Sequence, residues 1–142
     1  MRKKSIENIK IINCYGPTEC TFAITSVEIT KEFIDKDIPI GLPKNDVEIF
    51  VLNEYQENAV EGQIGEIVVC GESVAAGYVQ DNIDRNGFRI YNGKKCYFTG
   101  DFGYWKNNQL YYTGRQDNQI KFRGYRIELT DIENVLYKYA LF

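Results

Sequence analysis

Asn13-Cys14-Tyr15-Gly16-Pro17-Thr18, with Glu19 directly behind them, put an aromatic ring, a tight turn, a hydroxyl and a carboxylate within one short loop. That combination suits a nucleotide with its metal. Tyr15 can lay its face on a purine, Thr18 can donate a hydrogen bond to a phosphate oxygen, and Glu19 can hold a hard cation that bridges phosphates. Gly16-Pro17 punctuates a loop, and the apolar run Ile9-Lys10-Ile11-Ile12 ahead of it reads as a buried strand, so the loop is expected at a strand end. The same residues also make an ordinary Gly-Pro turn, and from the loop alone both readings stand.

Other reactive side chains narrow the chemistry. Asp101 follows Gly100 and is read as ending a strand, where its carboxylate can accept hydrogen bonds from two adjacent ribose hydroxyls or simply cap a turn. Cys14, Cys20, Cys70 and Cys96 lack Cys-x-x-Cys spacing, and with no histidine a zinc site would need all four thiolates, so no structural metal is expected. Cys70 sits in an apolar run, where a free cysteine behaves as a small hydrophobe, and reduced thiols are the expectation for a cytosolic protein.

Composition sets the outer limits. With 142 residues, 44% of them hydrophobic and 26% charged, the chain makes about one domain, and no apolar stretch approaches the roughly 20 residues of a membrane span. No continuous apolar region follows the basic start Met1-Arg2-Lys3-Lys4, which argues against a secretory leader. A net charge of -3 with scattered basic residues leaves no footprint for nucleic acid.

The elements that must position these residues are mostly short strands. Val47 to Leu52 reads as one strand, Asn53 to Gly62 as a polar turn, and Gly65 to Cys70 as the next strand. Gly71 and Gly77 bracket a corner around Val74 to Val79. Phe88 to Tyr91 and Lys95 to Phe98 flank Asn92-Gly93, a hairpin signal because type I′ turns need positive φ at both central residues. Gly103 to Trp105 and Gln109 to Tyr112 form a second hairpin around Asn107-Asn108. Strands with polar turns across 38–113 indicate a small distorted barrel or two-sheet unit, its core expected to include Phe50, Tyr78, Phe88, Tyr97, Trp105 and Tyr111. Pro39 to Pro43 reads as a linker. Gln119 to Arg123 and Tyr125 to Leu129 read as two short strands around Gly124, and Thr130-Asp131-Ile132-Glu133 as a capping box opening a helix with Ile132, Val135, Leu136 and Tyr139 on one face.

Further motifs follow the first loop in a fixed order: Gly65-Glu66-Ile67-Val68-Val69 with Gly71, Val74-Ala75-Ala76-Gly77-Tyr78, Tyr97-Phe98-Thr99-Gly100-Asp101, and Gly114-Arg115-Gln116-Asp117-Asn118-Gln119-Ile120-Lys121. This series resembles the adenylate-forming, AMP-binding ligase superfamily over essentially the whole chain. The runs Thr25 to Thr30 and Lys121 to Leu129 carry a finer likeness to its D-alanine-activating branch, which charges D-alanine onto a carrier protein for teichoic-acid modification.

The resemblance implies a mainly β fold with α+β ends: 1–37 the end of an N-terminal subdomain with the nucleotide loop, 38–113 a distorted β-barrel subdomain, 114–118 a hinge, and 119–142 the start of an α+β lid. It implies ATP at Asn13, Cys14, Tyr15, Gly16, Pro17, Thr18, Asp101, Tyr112, Thr113, Gly114 and Arg115, with Arg115 offering planar donors to ribose or phosphate oxygens. Mg2+ is implied at Glu19, the amino-acid substrate near Phe22, and rotation of the lid about Asp117. Phe22 is bulkier than the aliphatic residue usual in the branch, and packing under the loop is its other reading. Phe98 stands where relatives commonly carry a basic residue. An acyl carrier protein is the implied partner. The phosphate loop, most of the acyl pocket and the lysine that stabilises developing charge fall outside these 142 residues, so this chain by itself is expected to be inactive, with uncovered apolar faces that favour self-association. A peptide-synthetase adenylation domain for another amino acid, and a non-catalytic binding module, are the alternatives.

Overall fold

Two asparagine turns organise the central sheet. In a computed structural model that describes residues 9–33, 36–79, 87–115, 119–123 and 125–139, Asn92 and Gly93 take φ of 49° and 74°, and Asn107 and Asn108 take 48° and 57°. Positive φ at both central positions is the type I′ requirement, so each turn folds its flanking strands back as an antiparallel pair.

In chain order the elements are β1 (Ile12–Tyr15), a 3-10 turn (Thr18–Cys20), β2 (Thr25–Glu28), a second 3-10 turn (Lys31–Phe33), β3 (Leu42–Pro43), β4 (Val47–Leu52), β5 (Gly65–Gly71), β6 (Phe88–Tyr91), β7 (Lys94–Lys106), β8 (Gln109–Arg115), β9 (Gln119–Phe122), β10 (Tyr125–Glu128) and α1 (Leu129–Tyr139). One sheet runs β1-β2-β3, a second runs β4-β5-β7-β6 with β8 also on β7, and β9 pairs β10. The fold is therefore mainly β with one C-terminal helix. The two strands expected on either side of Thr99-Gly100-Asp101 are one strand of 13 residues. Its N-terminal part pairs with β6, its C-terminal part with β8, and β5 lies along its other edge.

The central strands are buried on both faces, and successive residues alternate between two clusters. Val47, Val51, Ile67, Val69, Tyr97 and Leu110 gather in one cluster, and Leu52, Val68, Cys70, Cys96 and Phe98 in another. Aliphatic side chains dominate the first, and the second is built around the Cys70 and Cys96 side chains with Phe98. Of the aromatics expected in the core, Tyr97 is buried, Phe50, Phe88 and Trp105 are half-buried flanks, Tyr111 is half-buried and stacks on Tyr104, and Tyr78 is exposed. Cys70 and Cys96 stand opposite each other in the β5–β7 register with Cα atoms 4.1 Å apart and are joined as a disulfide, so Cys70 is not the free apolar residue expected.

Four further expectations are adjusted. The first strand begins at Ile12 rather than Ile9, and Ile9, Ile11 and Ile12 are 70%, 62% and 57% exposed, not buried. The stretch read as a linker is a seam: Ile40 N–H donates to Leu110 O at 2.8 Å, Leu110 N–H donates to Gly41 O, and Leu42–Pro43 pairs with β2. Ile40 and Leu110 share their cluster with Cys20 and Ile24. The helix starts at Leu129, which puts Thr130 inside its first turn rather than at the cap. Ile132, Val135, Leu136 and Tyr139 are all exposed. Gly124 and the expected hinge residue Asp117 lie outside the described residues.

Candidate functional site

The loop between β1 and β2 closes on itself. Ile24 N–H donates to Tyr15 O at 2.8 Å, bringing the backbone of Phe22 and Ile24 against Gly16, where a Cβ would sit 1.9 Å from Phe22 O. Glycine is required there for space. Pro17 leads into the 3-10 turn, Cys20 N–H donates to Pro17 O at 3.0 Å, and Thr21, at φ 62°, ends the turn. Folded this way the loop buries Glu19 and Cys20, half-buries Pro17, and leaves Cys14 and Thr18 exposed. Phe22 is 87% exposed and does not pack under the loop.

Asp101 reaches the same place through a defect in the sheet. Between the pairs Glu66↔Phe102 and Val68↔Phe98, β5 contributes only Ile67 while β7 contributes Thr99, Gly100 and Asp101. Asp101 is thus inside a strand at a bulge, rather than at a strand end as the sequence suggested. A bulge re-aims side chains that a regular pleat would alternate. Neighbouring side chains fix it: Thr99 Oγ1 donates to Ile67 O at 2.7 Å and accepts from Asp101 N–H at 2.9 Å, and Glu66 Oε1 accepts from Gly100 N–H at 3.0 Å. A second bulge lies opposite. Phe102 pairs with Gly114 and Gly103 with Tyr112, which leaves Thr113 extra on β8 and sets Arg115 against Asp101.

Side chains from two strands, β1 and β8, then converge on one carboxylate of a third, β7. Tyr15 Oη donates to Asp101 Oδ2 at 2.5 Å, and Arg115 Nη1 donates to Asp101 Oδ1 at 2.8 Å. Asp101 is buried and only 17% of the Arg115 side chain is exposed, so the pair is poorly screened by water. The rings of Tyr15 and Tyr112 lie 6.2 Å apart at 34°. Burial, and next the negative charge of Asp101, push the Tyr15 phenol above its ordinary value, so it is a hydrogen-bond donor and not a base.

The remaining candidates divide. Asn13 Nδ2 donates to Pro39 O at 2.8 Å, tying β1 to the seam. Glu19 Oε1 accepts from Tyr78 Oη at 2.7 Å, and burial followed by the Glu19 charge pushes the Cys20 thiol up to about 12. Among the described residues no three His, Cys, Asp or Glu side chains cluster as a metal cage. A single buried carboxylate next to a hydroxyl, Glu19 beside Thr18, still fits magnesium, which prefers one or two carboxylates completed by phosphates and water. Tyr15, Asp101, Tyr112 and Arg115 are therefore brought together, Gly16 and Pro17 shape the loop beside them, Thr113 and Gly114 form the second bulge, and the Phe22 side chain is left exposed on that loop. Sequence reasoning missed Glu66, Thr99 and Tyr78 as supports. The signal for each was membership of a quoted motif, without its geometry.

Known proteins share this arrangement of chain. A D-alanine--D-alanyl carrier protein ligase of Bacillus licheniformis is 42% identical over 134 residues, 92% of this chain and 27% of its own length, and one from Bacillus cereus is 42% identical over 132 residues, 26% of its length. The chain thus spans about a quarter of these relatives. Among solved structures, an NRPS protein containing adenylation and PCP domains superposes with a TM-score of 0.83 at 31% identity over 93% of this chain and 28% of its own. A Vibrio cholerae adenylation domain, AlmE, in complex with glycyl-adenosine-5'-phosphate gives 0.80 at 33% identity over 91% of this chain and 26% of its own. The sequence model described as AMP-binding enzyme matches residues 1–79, more than half of the 142 and inclusive of the whole β1–β2 loop. The chain belongs to the AMP-binding enzyme family.

Proposed function

We propose that this chain is part of a cytoplasmic, ATP-dependent ligase that activates D-alanine and loads it onto a carrier protein for teichoic-acid modification. A carboxylate oxygen of D-alanine attacks the α-phosphorus and pyrophosphate leaves; the phosphopantetheine sulfur then attacks the acyl carbon and AMP leaves. The observation that carries the reading is the buried Asp101 carboxylate, held by Tyr15 and Arg115 where two bulges meet the β1–β2 loop.

Each residue's part follows from its surroundings. Asp101 accepts from the ribose hydroxyls, and its preset bonds mean that it need not reorganise when the nucleotide arrives. Tyr15 and Tyr112 offer ring faces beside it, and Arg115 balances its charge. Thr18, exposed on the 3-10 turn, donates to a phosphate oxygen. Glu19 would hold Mg2+, which when bound neutralises charge gathering on the phosphate oxygens. Phe22 forms one wall of the amino-acid pocket. The resemblance further supports 1–37, 38–113, 114–118 and 119–142 as subdomain end, barrel, hinge at Asp117 and lid. The solved neighbours support a second reading, a peptide-synthetase adenylation domain for another amino acid.

ATP–pyrophosphate exchange separates these. The complete enzyme that carries this segment is expected to exchange with D-alanine in preference to L-alanine or glycine, and the 142-residue chain alone to give none. Preference for another amino acid moves the assignment to the second reading. Absence of exchange with every amino acid leaves a binding module.

A further inference from the structure

We propose that Tyr78 is the positioning residue for Glu19, its phenol fixing the direction of the one carboxylate buried in the β1–β2 loop. The proposal rests on the reading that Glu19 faces the cation of a bound nucleotide. Tyr78 Oη lies 2.7 Å from Glu19 Oε1 and 3.4 Å from the hydroxyl of Tyr97, itself only 4% exposed. The Tyr78 ring meets Phe88 edge-on at 5.3 Å, and Phe88 packs on Tyr97 at 4.9 Å, so the phenol is held by a wall of rings from β6 and β7.

Backbone contacts fasten the whole segment to the loop. Ala75 N–H donates to Glu19 O at 2.8 Å, Thr21 Oγ1 donates to Ser73 O at 3.1 Å, and Val74 is buried in the cluster that contains Cys20. Residues 73–78 thus form a strap over the 3-10 turn, with Tyr78 as its contact to the side chain. A glutamate has three rotatable bonds, and a short hydrogen bond from a fixed phenol to one oxygen sets the plane of the carboxylate and hence the direction of the other oxygen. Partners of this kind, one step removed from a metal, are worth about 10–100-fold in metal affinity.

The test compares the wild-type chain with Tyr78→Phe, Tyr97→Phe and Glu19→Gln. Side-chain NMR couplings of carbon-13-labelled Glu19 should report one rotamer in the wild type and averaging in Tyr78→Phe, with Tyr97→Phe between them and the thermal midpoint of each variant recorded alongside. Mn2+ binding in the presence of ATP, read by electron paramagnetic resonance, should weaken about tenfold in Tyr78→Phe and vanish in Glu19→Gln. An unchanged Glu19 rotamer in a folded Tyr78→Phe overturns the proposal, and so does a lowered midpoint with rotamer and Mn2+ affinity intact, which marks a merely structural tyrosine. If wild-type chain binds no Mn2+ with ATP, the cation reading of Glu19 falls for this chain while the rotamer comparison still decides what Tyr78 does.

Discussion

At Tyr15 one hydroxyl joins the loop to the sheet, and its loss should be measurable on its own. A hydrogen bond to a charged group contributes about 1.5–3 kcal/mol, and the Tyr15 partner is the buried Asp101 carboxylate, so Tyr15→Phe is expected to destabilise by that amount at neutral pH. The same residue predicts an alkaline limit. Tyr15 and Cys20 are both raised above their ordinary 10.0 and 9.0, so the unfolded chain releases their protons before the folded chain does. Their contribution is fully present below pH 9 or so and is lost as pH rises beyond it, because the folded state is then the one that binds more protons. Urea midpoints from neutral pH upward should show a steeper alkaline decline for the wild type than for Tyr15→Phe. Equal slopes would show that the phenol titrates alike in both states.

Among the elements, turns were the most legible in the sequence and bulges the least. Asn92-Gly93 and Asn107-Asn108 declare their hairpins because positive φ demands those residue types, and both formed where expected. Asn108, at φ 57°, still carries a Cβ that glycine would not, so Asn108→Gly should stabilise by up to about 1 kcal/mol, read as a higher urea midpoint with unchanged slope. A lower midpoint would mean that the Asn108 side chain contributes more than its backbone strain costs. Thr99-Gly100-Asp101 reads as a break because glycine interrupts the alternation, whereas β7 runs straight through and absorbs the motif as a bulge. Which residues would meet there was legible only from motif resemblance, since Tyr15 and Asp101 are 86 positions apart and nothing local to either encodes the other. The Glu19–Tyr78 contact, 59 positions apart, was hidden for the same reason, and Tyr78 read as core because a tyrosine beside apolar residues usually is. The Cys70–Cys96 pairing depends on the β5–β7 register, which the bulge shifts, so spacing along the chain could not reveal it.

For the molecule as a whole, the inner side is complete and the outer side is not. Cys20 and Ile24 from the loop, Ile40 from the seam and Leu110 from β8 close one cluster, which binds the small sheet to the large one. Along β1 the alternation then turns Ile12 and Cys14 outward, and Ile9, Ile11 and the ring of Phe22 are exposed as well. Apolar side chains gathered on one surface mark a face that is normally covered. Alone, the chain can cover it only with another copy of itself. Light scattering on the 142-residue chain is expected to give a mass that rises with protein concentration, and Ile12→Thr combined with Phe22→Ser is expected to suppress that rise. Both positions are more than half exposed, so each substitution should leave stability within about 0.5 kcal/mol and separate association from unfolding. A wild-type chain that stays monomeric at every concentration would mean that this face is tolerated in water. Association that survives the double substitution would move the contact to the exposed face of α1, where Ile132, Val135, Leu136 and Tyr139 offer the other apolar stripe.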